Sequence, residues 1–363
     1  MKLEEGENEM IKKVYEMLDT LQAEALLVTD PFNMRYISGF RGGEGILYIS
    51  KNRSVLITDS RYTEAAAKES SFQVIEESRN HKRSAILQDC IAAEAVTKLI
   101  YEDESMKCSE FHQFQKLLTD IREWIPAGGA VDALRQIKTA AEIELLAKAE
   151  AIGDAAFADL LKVIRPGMTE LEAAAELEYF MKKNGAQGFS FDTIMASGQH
   201  SSMPHAIPGT RKIQNGDFVT MDFGCIYEGY CSDMTRTIAF GAITEKQKEI
   251  YDTVLRAQLA ALEAVKPGMT GAAVDKVARD IIKEAGYGDC FGHALGHSVG
   301  LFIHETPRLG PGAESILKPG MIETIEPGIY VPGFCGVRIE DMIVLTETGS
   351  RNLAHSPKEL IIL

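Results

Sequence analysis

The sequence has no excess of basic residues, no long apolar run and no stretch that resembles a secretion signal. Its 38 basic residues face 53 acidic ones, a net charge of −15, so it has no excess of Lys and Arg for non-specific binding to nucleic acid or anionic membranes. No apolar run approaches the ~20 residues needed to span a bilayer. The opening stretch MKLEEGENEMIKKVYEML lacks the apolar core and the cleavage site of a signal peptide. We therefore expect no nucleic-acid partner, no membrane partner and a cytoplasmic location.

Cysteine is also scarce, and the six cysteines form no CxxC pair. In a chain of 363 residues, scattered cysteines predict reduced thiols rather than a disulfide framework, which again favours the cytoplasm. The chain does have length enough for about two domains. Its 45% apolar and 25% charged residues are the proportions of an ordinary globular protein.

The first ~130 residues alternate strand-like and helix-like patterns, which is typical of an α/β domain. Buried strands are predicted at ALLVTD, GILYIS and SVLITDS, and helices at MIKKVYEMLDTLQ, RYTEAAAKES and FHQFQKLLTDI. The stretch WIPAGGAVDAL holds Pro and paired Gly and is the predicted boundary. We expect one domain over 1–130 and a second over 134–363. A long helix opens the second domain, and Thr139 and Glu142 predict its capping box.

The second domain contains an internal repeat. The stretch VIRPGMTELEAAAELEYFMKKNGAQ (163–187) matches AVKPGMTGAAVDKVARDIIKEAGYG (264–288), so that Pro166 aligns with Pro267 at an offset of 101. Each copy predicts a helix entry at PGMT, an amphipathic helix and a Gly stop. Convergent helix capping is the alternative, but several anchors at one offset favour a duplication. A pseudo-twofold domain with a site near its centre is the natural inference.

Two predicted β-hairpins carry carboxylates in apolar surroundings. The four acids are Asp222 and Asp233 in DFVTMDFGCIYEGYCSDMTRTIAF, and Glu326 and Glu340 in GMIETIEPGIYVPGFCGVRIEDMIVLTETG. An acid on an apolar strand is costly unless it is paired or metal-bound. Each acid alone is more often solvent-facing or paired with Arg236 or Arg338. All four together, with a histidine motif between them, predict one shared cation site.

That histidine motif, GHALGHSVGLFIHE, spans 292–305 and holds three of the eight histidines. Its HxxxH spacing suggests a helical zinc site, but that motif needs HExxH and position 294 is Ala. Its glycines, each costing ~1 kcal/mol in a helix, predict instead a loop that lines a site. His304 is predicted to end a strand, and His205 in SSMPHAIPG to lie on a rigid loop between prolines. Any one histidine is more often a hydrogen-bonded residue than a ligand.

Four carboxylates and one histidine form an oxygen-rich ligand set. Such a set suits hard or borderline divalent ions, Mn²⁺ first, with Co²⁺ and Zn²⁺ as alternatives. Five ligands, some of them bridging, have room for two ions, and two-metal hydrolases hold their ions ~3.5–4 Å apart. We therefore expect two divalent metal ions as cofactors.

These motifs together resemble a known family. PHAIP, MDFG, YCSDMTRT, GHALGHSVGLFIHE, IEPGIY and GVRIED follow one another within 134–363, as in the pita-bread metallopeptidases that include aminopeptidase P, prolidase and methionine aminopeptidase. YISGF and ITDSRY resemble the N-terminal domain of the proline-specific branch. The resemblance implies an α+β chain. A C-terminal pita-bread (creatinase/aminopeptidase-like) pseudo-twofold domain would follow a smaller α/β creatinase-like N-terminal domain concerned with substrate gating and dimer contact.

The resemblance also implies roles for individual residues. The implied metal ligands are Asp222, Asp233, His297, Glu326 and Glu340, with Asp233 and Glu340 bridging the two ions. Glu326 is the candidate for proton transfer, and His205 and His304 for stabilising the tetrahedral intermediate. His293 would line the pocket or touch the substrate. Arg338 would orient the site, bind a substrate carboxylate or neutralise the acidic cluster.

The implied activity is hydrolysis of Xaa–Pro bonds, at the N-terminus of peptides or in Xaa–Pro dipeptides, by a homodimeric metallo-exopeptidase. The nitrogen of that bond carries no N–H, so a peptidase that grips the scissile N–H loses its handle. No motif separates a dipeptidase from an aminopeptidase on longer peptides. Two alternatives are an inactive pita-bread binding module and a creatinase-like hydrolase of a small non-peptide substrate. The five retained ligands disfavour both.

Overall fold

The structure is a computed structural model that describes the backbone of residues 2–363 and side chains from residue 10 onward. The chain divides into two compact units, Met1–Arg135 and Gln136–Leu363. Within the described residues, no helix combines the length and the apolar character that crossing a membrane requires.

The first unit is built on a six-stranded mixed sheet. Its strands are β1 (Ala25–Val28), β2 (Ile46–Ser50), β3 (Ser54–Thr58), β4 (Gln73–Glu76), β5 (Lys98–Tyr101) and β6 (Glu123–Pro126), in the order β4-β3-β2-β1-β5-β6. Its helices are α1 (Lys2–Thr20), α2 (Pro31–Ser38), α3 (Thr63–Glu69), α4 (Arg83–Glu94), α5 (Cys108–Leu117) and α6 (Ala130–Ala133). β2 pairs antiparallel with both β1 and β3, and the other pairings are parallel. Strands β1 and β2 are buried along their whole length, as the apolar runs ALLV and ILYIS predict.

The strands and helices predicted above for this unit are confirmed. The stretch AEAVTKLIYE (93–102), predicted as a helix that runs into a strand, does contain β5 but only the last two residues of α4. Helices α2 and α6 and strands β4 and β6 were not predicted. Helix α2 had clear signals: Asp30 caps it by accepting hydrogen bonds from two backbone N–H groups, and Pro31 occupies its first position.

The second unit places four helices around short antiparallel sheets. The helices are α7 (Ala140–Leu160), α8 (Glu170–Lys183), α9 (Glu245–Ala264) and α10 (Gly271–Glu284). The strands are β7 (Gly188–Phe189), β8 (Ile194–Ser197), β9 (Phe218–Phe223), β10 (Cys225–Tyr227), β11 (Tyr230–Cys231), β12 (Met234–Ala239), β13 (Gly296–Ser298), β14 (Glu305–Leu309), β15 (Ile322–Ile325), β16 (Gly328–Val331), β17 (Cys335–Arg338), β18 (Asp341–Leu345) and β19 (Ser350–Asn352). The strand orders are β12-β9-β8, β14-β13-β15-β18-β19, β11-β10-β7 and β16-β17.

The predicted repeat appears as two matched helices. Helices α8 and α10 are each 14 residues long, and the side chains of Thr169 and Thr270 cap them. Gly185 and Gly286 follow the two helices with φ of 110° and 88°, a backbone conformation that favours glycine. The capping box predicted at the start of α7 is also confirmed.

Both predicted hairpins are present. In the first, β9 pairs with β12, and the chain reverses at Glu228 and Gly229, which have φ of 46° and 82° as a tight hairpin turn requires. In the second, β15 pairs with β18 and β16 pairs with β17.

Two details of the predicted strands are wrong. His304 does not end a strand: β13 and β14 pair antiparallel, so the chain must reverse just before β14 begins at Glu305. Glu340 does not share a strand with Arg338, because β17 pairs with β16 while β18 pairs with β15. Glu340 therefore lies where the chain passes from one sheet to the other.

Candidate metal centre

Three carboxylates meet where the two hairpins come together. Asp222 lies near the end of β9, and Asp233 immediately precedes β12. One oxygen from each of these residues and one from Glu340 all lie within 4.8 Å of one another. Thr235 connects the hairpins: its carbonyl accepts the Glu340 N–H at 3.1 Å, and its hydroxyl donates to the Glu340 carboxylate at 2.7 Å.

His297 and Glu326 complete the cluster. The Nε2 atom of His297 lies 3.5 Å from Asp233 Oδ2 and 3.6 Å from Glu326 Oε1. The Thr324 hydroxyl accepts the His297 N–H at 3.1 Å and donates to Glu326 Oε1 at 3.2 Å. His297 Nδ1 lies 3.1 Å from the carbonyl oxygen of Ser298, an arrangement that leaves Nε2 free to face the carboxylates. The structure thus brings together all five residues for which a ligand role is predicted.

The pKa values of the residues in this cluster are strongly shifted. Burial, and then the neighbouring carboxylates, raise the pKa of Asp233 and Glu340 well above the usual values. Burial also raises the pKa of Glu326 to about 8, with Asp222 adding to the shift and Arg338 opposing it. Burial lowers the pKa of His297 to about 4, so its imidazole is neutral near pH 7. Acids this close together need positive charge if all of them are to be ionised.

Divalent cations fit these residues. Asp222 Oδ1 and Glu340 Oε1 are buried and have no hydrogen-bond partner in the described part of the chain. A buried carboxylate oxygen without a partner is costly, and coordination of a cation removes that cost. Carboxylates with one neutral imidazole match the preferences of ions such as Mn²⁺.

Arg338 is a buried arginine that forms hydrogen bonds with the cluster and with the residues around it. Its side chain is 3% exposed, and it donates from Nη2 to Asp222 at 2.5 Å, from Nε to the Thr235 hydroxyl at 2.9 Å and from Nη1 to the Tyr330 hydroxyl at 2.7 Å. These contacts favour orientation and charge neutralisation over the binding of a substrate carboxylate as the role of Arg338.

The five clustered residues line a cavity of about 690 Å³. The other histidines with a predicted role, His205, His293 and His304, line the same cavity. His293 Nε2 lies 3.0 Å from the Tyr330 hydroxyl, and burial lowers the His293 pKa to about 4. The ring of His304 packs edge-on against that of His297, with centroids 4.7 Å apart. His205 is exposed on the loop between Pro204 and Pro208.

Sequence reasoning missed Thr235, Thr324, Tyr330 and Arg308. Thr235 follows Asp233 by two residues and Thr324 precedes Glu326 by two, and residues at this spacing along extended chain tend to point the same way. This two-residue spacing could have predicted that the two threonines lie beside the acids. Arg308 faces His297 in the β13–β14 register, a pairing that no local pattern reveals.

The fold and the site together define a class: a pseudo-twofold α+β domain whose centre is a carboxylate-rich site suited to divalent cations. Residues 144–347 match the model of Metallopeptidase family M24, and residues 10–137 match the Creatinase/Prolidase N-terminal domain. The chain belongs to metallopeptidase family M24. The predicted family, the fold class and the assignment as a metallopeptidase are confirmed.

Named relatives cover almost the whole chain. The Xaa-Pro dipeptidase of Pyrococcus furiosus is 40% identical, over 97% of this chain and 99% of the relative. The structure of the Xaa-Pro dipeptidase from Bacillus anthracis superimposes with a TM-score of 0.95 at 43% identity, over 98% of this chain and 100% of that one. The X-Pro aminopeptidase from Thermotoga maritima gives a TM-score of 0.89 at 37% identity, over 96% and 100%.

Proposed function

We propose that this protein is a dinuclear metal-dependent exopeptidase that hydrolyses Xaa–Pro bonds, with Xaa–Pro dipeptides as its preferred substrates. The observation that carries the proposal is the cluster of four acids and one neutral imidazole that lines a cavity of about 690 Å³. The names of the relatives supply the substrate class.

The residues proposed to hold two divalent ions are Asp222, Asp233, His297, Glu326 and Glu340. The oxygen-rich donor set favours Mn²⁺, with Co²⁺ or Zn²⁺ as alternatives. Such ions, when bound, supply Lewis acidity and lower the pKa of water to near neutrality. One oxygen each of Asp222, Asp233 and Glu340 lie within 4.8 Å of one another, so these three acids would be close enough to hold an ion together.

The chain's own residues provide proton transfer and orientation. Glu326 accepts a proton from water and returns it to the proline nitrogen, which leaves as a secondary amine. Thr324 holds one carboxylate oxygen of Glu326 and leaves Oε2 for this exchange. His205 and His304 line the cavity and would donate hydrogen bonds to the carbonyl oxygen as it gains charge. His293, held by Tyr330, forms part of the cavity wall.

Arg308 supports the preference for dipeptides. It is exposed, it lines the cavity, and no hydrogen bond or ion pair reaches its guanidinium from residues 10–363. A guanidinium pairs well with a carboxylate, and the free carboxylate of a dipeptide follows directly after the scissile bond. A longer peptide carries that charge further away, so Arg308 would favour the dipeptide.

A peptide ladder tests the proposal. Dipeptides, tripeptides and longer peptides that share one Xaa–Pro sequence would be incubated with the Mn²⁺-loaded protein, and the products read by mass spectrometry. We expect the dipeptide to be cleaved with the highest kcat/KM. Equal or faster cleavage of longer peptides would overturn the dipeptide preference. Absence of all Xaa–Pro cleavage, together with no metal in elemental analysis after soaking in Mn²⁺, would favour a binding module instead.

We also propose a homodimer and a cytoplasmic location. The six cysteines are all free, as is usual in a reducing compartment. Residues 1–130 are proposed to contribute dimer contact and substrate gating, with 134–363 as the catalytic domain. Sedimentation of the full chain measures the oligomeric state, and a monomer at micromolar concentration would contradict the dimer.

A further inference from the structure

Glu170, the first residue of α8, is a fully buried acid for which the proposed mechanism has no use. Its Oε1 accepts hydrogen bonds from the Ser197 N–H and hydroxyl, both at 2.8 Å. Its Oε2 accepts the Gly209 N–H at 3.1 Å and lies 2.8 Å from His200 Nδ1. One carboxylate therefore contacts groups that are far apart along the chain.

These contacts bracket a loop that lines the cavity. The segment 198–208, called here the His205 loop, begins after Ser197 and ends before Gly209. In its middle, the Ser201 hydroxyl accepts the Gly336 N–H at 2.8 Å, and the Pro204 carbonyl accepts a hydrogen bond from Arg338 at 3.3 Å. His205 and its neighbours then face the cavity.

The matching position in the second repeat has no carboxylate. Gly271 begins α10 as Glu170 begins α8. A Cβ atom on Gly271 would lie 2.2 Å from the carbonyl oxygen of Arg308, so there the helix packs directly against β14. A buried acid at the first helical position is therefore found in the first copy of the repeat and not in the second.

We propose that Glu170 is a positioning residue that holds both ends of the His205 loop and so keeps His205 in the cavity. A carboxylate offers about four acceptor sites to donors from both ends, whereas an amide of the same shape offers only one oxygen. Loss of one oxygen leaves a donor at one end of the loop unpaired. The catalytic consequence rests on the proposed function, but the anchoring of the loop does not.

The test compares Glu170→Gln with a matched control, Glu172→Gln. Glu172 lies on the same first turn and has an exposed carboxylate. Among residues 10–363, that carboxylate accepts hydrogen bonds only from Thr169, from its N–H at 2.7 Å and from its hydroxyl at 3.1 Å. Three quantities would be measured on the full chain: hydrogen exchange in peptides covering 197–209, Mn²⁺ affinity by calorimetry, and kcat and KM for an Xaa–Pro dipeptide.

For Glu170→Gln we expect amides in 197–209 to exchange about tenfold faster, the effect of losing a hydrogen bond. We expect kcat/KM to fall about 10- to 100-fold, mainly through kcat, because a displaced polar group costs catalysis more than binding. Mn²⁺ affinity should be unchanged, since none of the five proposed ligands lies on the loop. Glu172→Gln should alter exchange only at the start of α8 and leave kcat/KM unchanged.

Several outcomes overturn the inference. One is unchanged exchange in 197–209; another is faster exchange throughout 136–363 with an equal loss of Mn²⁺ affinity, which indicates a general structural role. If Glu170→Gln does not fold, Ser197→Ala and His200→Phe each remove one donor, and unchanged exchange in both overturns it as well. A wild-type protein that cleaves no Xaa–Pro bond would refute the proposed function, while the exchange result would still decide the anchoring.

Discussion

The two halves of the second unit use one backbone plan for different chemistry. Each half has a Thr-capped helix of 14 residues and an antiparallel hairpin. The first half contributes two acids to the cluster, Asp222 and Asp233. The second half contributes the imidazole and two further acids. The repeat thus accounts for the way the backbone converges on one centre, while the individual side chains make that centre asymmetric.

The halves also hold their cavity walls differently. In the first half, buried Glu170 reaches across to a loop by hydrogen bonds. In the second, Gly271 lets the helix backbone pack against β14 with no side chain between them. The wall that carries His205 is therefore held by hydrogen bonds to one buried carboxylate, and the wall that carries Arg308 is held by close backbone packing.

The largest expected effect tests whether the second half supplies the proton-transfer group. Glu326→Ala should lower kcat by about 10²- to 10⁴-fold in the metal-saturated protein, because the proposed proton-transfer group is lost. Glu323→Gln is the matched control: Glu323 is buried on β15 but does not line the cavity, and burial raises its pKa well above the usual value. Circular dichroism would check that both variants fold. Substantial turnover by Glu326→Ala would refute its assigned role.

Metal loading tests whether the two halves share one centre. Because the acids repel one another when no cation is bound, Mn²⁺ at about 100 times its Kd should raise the free energy of unfolding by about 2.7 kcal/mol or more. Asp222→Asn in the first half and His297→Asn in the second should each reduce this gain. Denaturant melts with and without EDTA measure it. A gain that survives intact in either variant would argue against a shared centre.

Substrate length tests the wall of the second half. Arg308→Ala should lower kcat/KM for an Xaa–Pro dipeptide by about 10- to 100-fold, the effect of one charge-assisted hydrogen bond, and change cleavage of longer peptides little. Arg351→Ala is the control, an exposed arginine on β19, a strand of the same sheet that is not part of the cavity. Equal losses for dipeptide and longer peptide would remove the evidence for carboxylate recognition.

The smallest expected effect concerns the helix entry itself. Gly271→Ala should destabilise the protein by about 1 kcal/mol net, because steric overlap with the Arg308 carbonyl outweighs the better helix propensity of Ala. Gly292→Ala has open space around its Cβ and should have little effect. Urea unfolding compares the two variants. Identical midpoints would show that the close contact in the second half relaxes without cost.

Much of this organisation could be predicted from local patterns. The apolar runs of β1 and β2, the caps at Thr139 and Thr169 and the turn at Gly229 depend on neighbours within a few residues. The repeat offset was visible for the same reason. Helix α2 also had local signals, since Asp30 and Pro31 mark its start, although it was not predicted.

The composition of the cluster could be named from the sequence, but its connections could not. Motif order and resemblance pointed to the five ligand positions. Three of these connections depend on pairings between distant segments. Thr235 donates a hydrogen bond to Glu340, Arg338 donates to Asp222, and Arg308 is paired with His297 in the strand register. Local sequence patterns therefore indicate most of the elements, the repeat and the kinds of ligand. Which groups support the ligands depends on the folded domain, because strand register and long-range hydrogen bonds are set by packing of the whole domain rather than by any local stretch.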